Sequence, residues 1–125
     1  MLDQKTNKLN KREVGSDREK AAVKYLIGQG YRIRQTNYSC KTGEIDIVAE
    51  EDGYLCFIEV KYRSDDSNGF PEDAVDARKA KKITRTALFY ITQNGLPEDI
   101  PCRFDVVAML GDRITLIRNA FDAVM

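Results

Sequence analysis

Hydrophobic and polar residues alternate along five stretches of this chain, whereas two further stretches repeat apolar residues every three or four positions. The first pattern predicts half-buried strands, and the second predicts amphipathic helices. The predicted strands are residues 31–38, 44–51, 54–63, 103–110 and 113–118. The predicted helices run from about residue 16 to 28 and from residue 71 or 72 to about 94. The order α-β-β-β-α-β-β, without an internal repeat, predicts one α/β domain with a mixed sheet flanked by helices.

The first 14 residues are polar and have no apolar period, so we expect a mobile tail (1–14) ahead of a single domain (15–125). The tail lacks the apolar core of a signal peptide, and no stretch of the chain is long and apolar enough to span a bilayer. The three cysteines, Cys40, Cys56 and Cys102, are odd in number and far apart. Reduced thiols in a cytoplasmic protein without membrane contact are therefore expected.

The dipeptide Asp52-Gly53 separates two predicted strands and is favoured in two-residue type I′ turns. With this turn, Asp46 falls directly opposite Glu59. Lys61 lies two residues further along the same face, opposite Glu44. A longer loop slides the register but keeps Asp46, Glu59 and Lys61 as neighbours. The side chains predicted to line the opposite, core face are Ile45, Ile47, Cys56, Ile58 and Val60.

Two carboxylates that face each other across a hairpin destabilise it unless a cation compensates their charge. A divalent ion fits, because Mg²⁺ binds one or two protein carboxylates and keeps sites for water and phosphate. Lys61 reaches the same space, where an ammonium can hold a water or stabilise charge that develops on a phosphate. Asp46, Glu59 and Lys61 therefore favour metal-assisted hydrolysis of a phosphodiester.

Spacing alone leaves simpler interpretations open. Glu59 and Lys61 also suit an ordinary ion pair on a half-exposed strand, worth under about 1 kcal/mol. Asp46 has alternative partners in Arg32 and Arg34 on the neighbouring predicted strand.

Composition narrows the chemistry, because the chain of 125 residues contains no histidine. Histidine-ligated metals and histidine-activated nucleophiles are excluded, which leaves carboxylates, lysines and hydroxyls. The net charge of zero hides a segregation: residues 1–43 carry +6, residues 44–76 carry −9 and residues 77–125 carry +3. An acidic hairpin flanked by basic segments is compatible with a protein that grips a phosphate backbone.

The second predicted helix carries a dense run of basic residues. Arg78, Lys82 and Arg85 follow helical spacing and share a stripe, with Lys81 beside it. Such a stripe can bind phosphates without reading bases, although a solvated helix face is the plainer interpretation. The predicted nucleic-acid-binding residues are Arg63, Arg78, Lys79, Lys81, Lys82 and Arg85.

The segments GEIDIVA (43–49) and FIEVKYR (57–63), a hairpin apart, resemble the bacterial YraN family. That family is similar to archaeal Holliday-junction resolvases and to the PD-(D/E)xK nuclease superfamily, and the resemblance extends from about Gly15 to Arg118. It implies a restriction-endonuclease or resolvase-like fold. One departure is Ile45, which precedes Asp46 where the superfamily motif has proline.

The resemblance also implies roles for individual residues. Asp46 and Glu59 would bind Mg²⁺ or Mn²⁺ together with the carbonyl of Val60, and Lys61 would orient water. Glu19 would be an accessory catalytic acid carried by the first helix. The local pattern offers another role for Glu19, because it completes a capping box three residues after Ser16.

The leading hypothesis is a metal-dependent endonuclease that acts on structured or branched DNA. A homodimer suits this activity, because a junction has two-fold related cleavage points. The alternative hypothesis is not an enzyme but a catalytically inactive nucleic-acid-binding module with the same fold. A protein-interaction domain that does not bind nucleic acid ranks third.

Overall fold

The computed structural model describes residues 17–63 and 75–125 of the chain. The predicted tail (1–14), Ser16 and the predicted helix start at residues 71 and 72 lie outside the described residues. No helix in the described ranges is both long and apolar enough to cross a membrane. Helix α1 covers residues 17–28, and the elements that follow are β1 (Arg32–Cys40), β2 (Gly43–Glu51), β3 (Tyr54–Arg63), α2 (Ala77–Gln93), β4 (Cys102–Leu110) and β5 (Arg113–Ile117).

The five strands form one mixed sheet in the order β1-β2-β3-β4-β5. All neighbouring strands are antiparallel except β3 and β4, which are parallel and are connected through α2. The predicted α/β class, mixed sheet and element order α-β-β-β-α-β-β are therefore confirmed. The strand ends differ from the predicted bounds by at most two residues.

A helix covers each face of the sheet, which gives the domain two layers of core. On one face Ala22 and Leu26 of α1 pack with Ile47, Cys56 and Ile58. On the other face α2 packs against a second cluster, whose buried members are Tyr38, Ile45, Val48, Leu55, Phe57, Ile83, Ala87, Tyr90, Ile91 and Phe104.

Ile45 is buried as predicted, but it belongs to the cluster beneath α2 and not to the face that contains Ile47 and Ile58. The polar face predicted for the hairpin is thus covered by a helix over part of its length. Val48 and Phe57 form its apolar floor, and only the part beyond them remains open to polar chemistry.

The β2–β3 hairpin has the predicted turn. Asp52 and Gly53 both have positive φ values, of 52° and 81°, as a type I′ turn requires. Glu51 pairs with Tyr54 and Val48 pairs with Phe57, which confirms the predicted register near the turn. This local agreement sets which side chains of β2 and β3 share a face.

Helix α2 begins later than predicted. Val75 and Asp76 are not helical, and Asp76 is the N-cap, with its side chain accepting a hydrogen bond from the Lys79 amide. Because an N-cap residue has an extended backbone, the helix starts after Asp76. Val75, which fits the apolar period of the helix, therefore lies outside it. The predicted buried positions Ile83, Ala87, Tyr90 and Ile91 lie on the face of α2 that contacts the sheet.

A network of charged groups joins the strands near the hairpin turn. Asp105 in β4 is fully buried and accepts hydrogen bonds from both the Tyr31 hydroxyl and the Asn119 amide. Arg103 binds both carboxylate oxygens of Asp105 and reaches Glu51 at the end of β2. A buried carboxylate with this many partners is satisfied in the folded state and acts as a clamp.

We expect Asp105→Ala to lower the free energy of unfolding by about 3–5 kcal/mol, because it leaves a buried arginine without its main partner. The matched control is Arg118→Ala, which removes a partly exposed partner of Glu51 and should cost under about 1 kcal/mol. Urea denaturation of both variants measures the difference. Equal losses in the two variants would contradict the interpretation of Asp105 as the clamp.

Candidate functional site

A polar cleft of about 400 Å³ lies between the open end of the β2–β3 hairpin and helix α2. Asp46 and Glu59 lie in its wall on the sheet side, and Lys79 and Lys82 approach from the helix. Gly43 has a φ of 151°, and a Cβ at this position would lie 3.2 Å from the Thr86 hydroxyl oxygen. The strand and the helix therefore approach closely at one end of the cleft.

Asp46 occupies the point where β2 and β3 separate. The ladder between the strands ends at the pair Ile47 and Ile58, so the predicted direct pairing of Asp46 with Glu59 does not form. Instead, the Val60 amide donates to the Asp46 carboxylate over 2.8 Å. The side chain thus replaces the next rung of the ladder, and its carboxylate is held in the gap between the strands.

The Val60 carbonyl is directed toward the same gap. In a strand, the N–H and C=O of one residue point toward the same neighbouring strand. Because the Val60 amide meets Asp46, the Val60 carbonyl also faces β2 beyond the end of the paired segment.

Glu59 is paired with two lysines through a single oxygen. The distance from Glu59 Oε1 to Lys79 Nζ is 2.9 Å, and the distance from the same oxygen to Lys61 Nζ is 3.5 Å. The side chains of Glu59 and Lys61 are only 14% and 18% exposed, so these charges are weakly screened by solvent. The Glu59–Lys61 ion pair that spacing suggested exists, but the shorter contact comes from α2.

The burial and mutual charges of the cleft change its acid–base properties. Burial and, after it, the neighbouring Glu59 carboxylate raise the pKa of Asp46 to about 6, although the Val60 amide and Lys79 act to lower it. Burial lowers the pKa of Lys61, and the neighbouring Lys79 ammonium adds to this effect. Burial acts to lower the pKa of Lys79 too, but contacts with Lys61 and Glu59 outweigh it and raise the value.

Glu19 of α1 lies near Asp46 and is held by β1. The Asn37 side-chain amide donates to both carboxylate oxygens of Glu19, at 2.8 and 3.0 Å. Asn37 has a φ of 53°, a left-handed conformation that asparagine tolerates better than most residues. The Glu19 carboxylate is near enough to contribute to the raised pKa of Asp46.

The predicted nucleic-acid-binding residues of α2 form one basic surface beside the cleft. Arg78, Lys81, Lys82 and Arg85 are exposed, and all four line a shallow depression together with Lys79. Lys79 and Lys82 line both this depression and the carboxylate cleft, so the two are continuous. The remaining predicted residue, Arg63, is the last residue of β3.

Two features of the site differ from the possibilities that the sequence left open. Arg32 and Arg34 pair with Glu50 and not with Asp46, because the register of β1 and β2 places Arg32 opposite Glu50, four residues from Asp46. Lys79 contacts Glu59 although spacing placed it only in the basic run. Lys79 directly follows Arg78 and therefore does not share the helix stripe of Arg78, Lys82 and Arg85. This position in the sequence is the signal that Lys79 faces the sheet.

The donor set suits a hard divalent cation that retains water. Asp46, Glu59 and the Val60 carbonyl supply oxygen ligands only, as Mg²⁺ and Mn²⁺ prefer. Within residues 17–63 and 75–125, no group of three or more histidine, cysteine, aspartate or glutamate side chains is arranged to hold a metal. Two carboxylates match an ion that also binds water and a substrate phosphate, and not one enclosed by protein ligands.

A family model described as "Uncharacterised protein family UPF0102" matches residues 18–109. The chain is 55% identical over 115 residues to a UPF0102 protein of Lachnoclostridium phytofermentans, covering 92% of this chain and 98% of the relative. It is 44% identical to a UPF0102 protein of Clostridioides difficile, covering 90% and 100%. A UPF0102 protein of Fusobacterium nucleatum is 42% identical, with 89% and 92% covered.

The raised pKa of Asp46 predicts a pH-dependent effect of Asp46→Asn in the presence of a chelator. The folded protein holds the Asp46 proton up to about pH 6, whereas the unfolded chain releases it near pH 4. Ionised Asp46 therefore disfavours folding above pH 6, and Asn removes this cost. We expect the variant to be more stable than the wild type by on the order of 1–2 kcal/mol at pH 8, with no gain below about pH 4.

Thermal denaturation across this pH range measures the effect. Glu50→Gln is the control, because we expect it to change stability in the opposite direction. Hydrogen bonding from Arg32 lowers the pKa of Glu50 despite its partial burial, so its ionised form stabilises the fold at neutral pH. Glu50→Gln should be less stable than the wild type at pH 7, and the difference should disappear at low pH. A pH-independent effect of Asp46→Asn would contradict the buried, ionisable carboxyl.

Proposed function

The chain belongs to the UPF0102 family, and we propose that it is a metal-dependent endonuclease that hydrolyses phosphodiester bonds in structured or branched DNA. Membership agrees with the resemblance to YraN proteins, and the placement among PD-(D/E)xK nucleases is part of the proposal. One observation carries it: the partly buried carboxylates of Asp46 and Glu59 line a cleft together with Lys79 and Lys82, and that cleft opens onto the basic surface of α2.

The carboxylates and the Val60 carbonyl are the proposed ligands of Mg²⁺ or Mn²⁺. When bound, the ion supplies a polarised phosphate oxygen and a bound water of lowered pKa. Asp46 is preorganised for this role by the Val60 amide, which fixes the direction of its carboxylate. Glu59 lies on the same wall of the cleft and contributes the second charge.

Lys61 and Glu19 complete the proposed machinery. The Lys61 ammonium holds the attacking water and stabilises charge that develops on the phosphate. In the hydrolysis, the water oxygen bonds to phosphorus and releases a proton to solvent, one P–O ester bond breaks, and the leaving oxygen takes up a proton. Glu19, held by Asn37 and close enough to Asp46 to raise its pKa, is the proposed accessory acid.

The basic surface supports the choice of a nucleic acid as substrate. Exposed Arg78, Lys82 and Arg85 lie along one side of α2 beside the cleft. Phosphate contacts of this kind position a duplex without reading its sequence, which suits recognition of DNA structure. Arg63, Lys79 and Lys81 are the other proposed backbone contacts. A homodimer follows from the two-fold symmetry of a junction and is part of the proposal.

The proposed substrate places the protein in the cytoplasm. The three cysteines of the chain are all free thiols, which suits a reducing compartment.

A second candidate is a nucleic-acid-binding module without catalysis. It is favoured by the ion pairs of Glu59 with Lys61 and Lys79, because two ammonium groups already balance the charge of Asp46 and Glu59. In that protein the cleft would be a stable polar cluster, and DNA binding would rest on α2 alone. Cleavage assays separate the two candidates.

We expect cleavage of junction, flap, duplex or single-stranded DNA in Mg²⁺ or Mn²⁺ and none with chelator. Asp46→Asn and Glu59→Gln should abolish cleavage. Lys61→Met should slow it by about 100-fold or more while DNA binding survives. The matched control is Glu50→Gln, which alters an acidic residue of the same hairpin outside the cleft and should cleave normally. No cleavage of any substrate at any metal concentration would favour the binding module.

The basic surface predicts a steep loss of DNA affinity with added salt. Each phosphate contact contributes a slope of roughly −0.9 to the logarithm of the binding constant against the logarithm of salt concentration. We expect a variant with alanine at Arg78, Lys82 and Arg85 to lose affinity and to reduce the slope by about 3. Lys24→Ala, which removes an exposed lysine from α1, is the matched control.

Fluorescence anisotropy from low to moderate salt measures both quantities. A binding constant that does not change with salt over this range would overturn the proposed role of the basic surface. An equal loss of affinity in Lys24→Ala would overturn it too, because it would show general electrostatic attraction and no specific surface.

A further inference from the structure

Lys79 holds the position beside Glu59 that a divalent ion needs. Its ammonium contacts Glu59 Oε1 at 2.9 Å, closer than Lys61 at 3.5 Å to the same oxygen. An ion that binds Glu59 through this oxygen needs the space taken by the nearer ammonium. The two cations therefore compete for one ligand atom.

The charge in the cleft makes this competition consequential. With Lys61 and Lys79 in place, two ammonium groups balance the carboxylates of Asp46 and Glu59. A divalent ion added without any rearrangement would leave an excess of two positive charges in a partly buried cleft, where Coulomb interactions are stronger than in water. Movement of one lysine away from the carboxylates removes half of that excess.

Of the two lysines that contact Glu59, Lys79 is the one whose side chain can leave the carboxylates. It extends from the first turn of α2, and its side chain is 36% exposed, twice the exposure of Lys61. It also lines the basic depression formed with Arg78 and Lys82, so a short swing of its flexible stem takes the ammonium from the cleft to the exposed surface. Lys61, in contrast, belongs to the sheet beside Glu59.

We propose that Lys79 is a built-in competitor for the divalent cation: its ammonium occupies the carboxylate pair in the free protein and moves to the basic surface when the ion binds. This inference rests on the proposed metal site. Lys79 thereby sets the ion affinity of the cleft, and a DNA phosphate at the basic surface receives the released ammonium. The protein alone binds the ion weakly, and phosphate contact favours the open state of the cleft.

The test is the affinity of the full chain for Mn²⁺ without DNA, measured by the loss of the free-ion electron paramagnetic resonance signal and by titration calorimetry. We expect Lys79→Met to bind Mn²⁺ about tenfold more tightly than the wild type, which corresponds to about 1.4 kcal/mol. Lys79→Arg keeps the charge and should bind no more tightly than the wild type.

Lys82→Met is the matched control, because Lys82 lines the same cleft one turn along the helix. Equal tightening in Lys79→Met and Lys82→Met would show a general field effect and would overturn the inference, as would unchanged affinity in Lys79→Met.

Asp46→Asn and Glu59→Gln separate this inference from the proposed function. Mn²⁺ binding that both substitutions abolish, with no effect of Lys79→Met, would uphold the metal site and reject the competitor. Failure of the wild type and of folded Lys79→Met to bind Mn²⁺ would reject both. Thermal denaturation identifies any variant that fails to fold.

Discussion

The candidate site depends on the early end of the β2–β3 ladder. Beyond Ile47 and Ile58 the strands no longer pair, and the partly buried Val60 amide still requires an acceptor. Asp46 supplies one from its side chain. A carboxylate is thereby fixed in a gap of low solvent access beside Glu59, and the rest of the cleft follows from the need to balance that charge. The lysines of β3 and α2 meet this need in the free protein.

The sequence was informative about the site where the interactions are local. The Asp52-Gly53 turn sets the hairpin register, and a period of two then brings Glu59 and Lys61 to one face. The end of the ladder was not predictable, because alternation continues through Asp46 although the strands separate there. Ile45 was assigned to the wrong layer for the same reason: strict alternation takes no account of the change in strand geometry at this point.

Contacts made across long stretches of chain were the least accessible to sequence analysis. Lys79 meets Glu59 twenty residues away along the chain, and only the packing of α2 against the sheet brings the two side chains together. Asn37 holds Glu19 through a left-handed backbone conformation that no spacing rule indicates. The buried network around Asp105 was also missed, because a single acidic residue in an apolar strand carries no period.

The clusters of charged side chains around Asp105 and around Glu59 differ in the base that each acid binds. Asp105 is bound by the planar guanidinium of Arg103 through both carboxylate oxygens, so its hydrogen bonds are directional and little is left to exchange. Glu59 is bound by two lysines that share one of its oxygens, and an ammonium on a flexible stem loses little when it takes another acceptor. The arginine cluster therefore suits permanent fixation of the strands, whereas the lysine cluster suits a carboxylate that can exchange one cation for another. The choice of base beside each acid thus distinguishes a cluster suited to fixation from a cluster suited to the exchange of its cation.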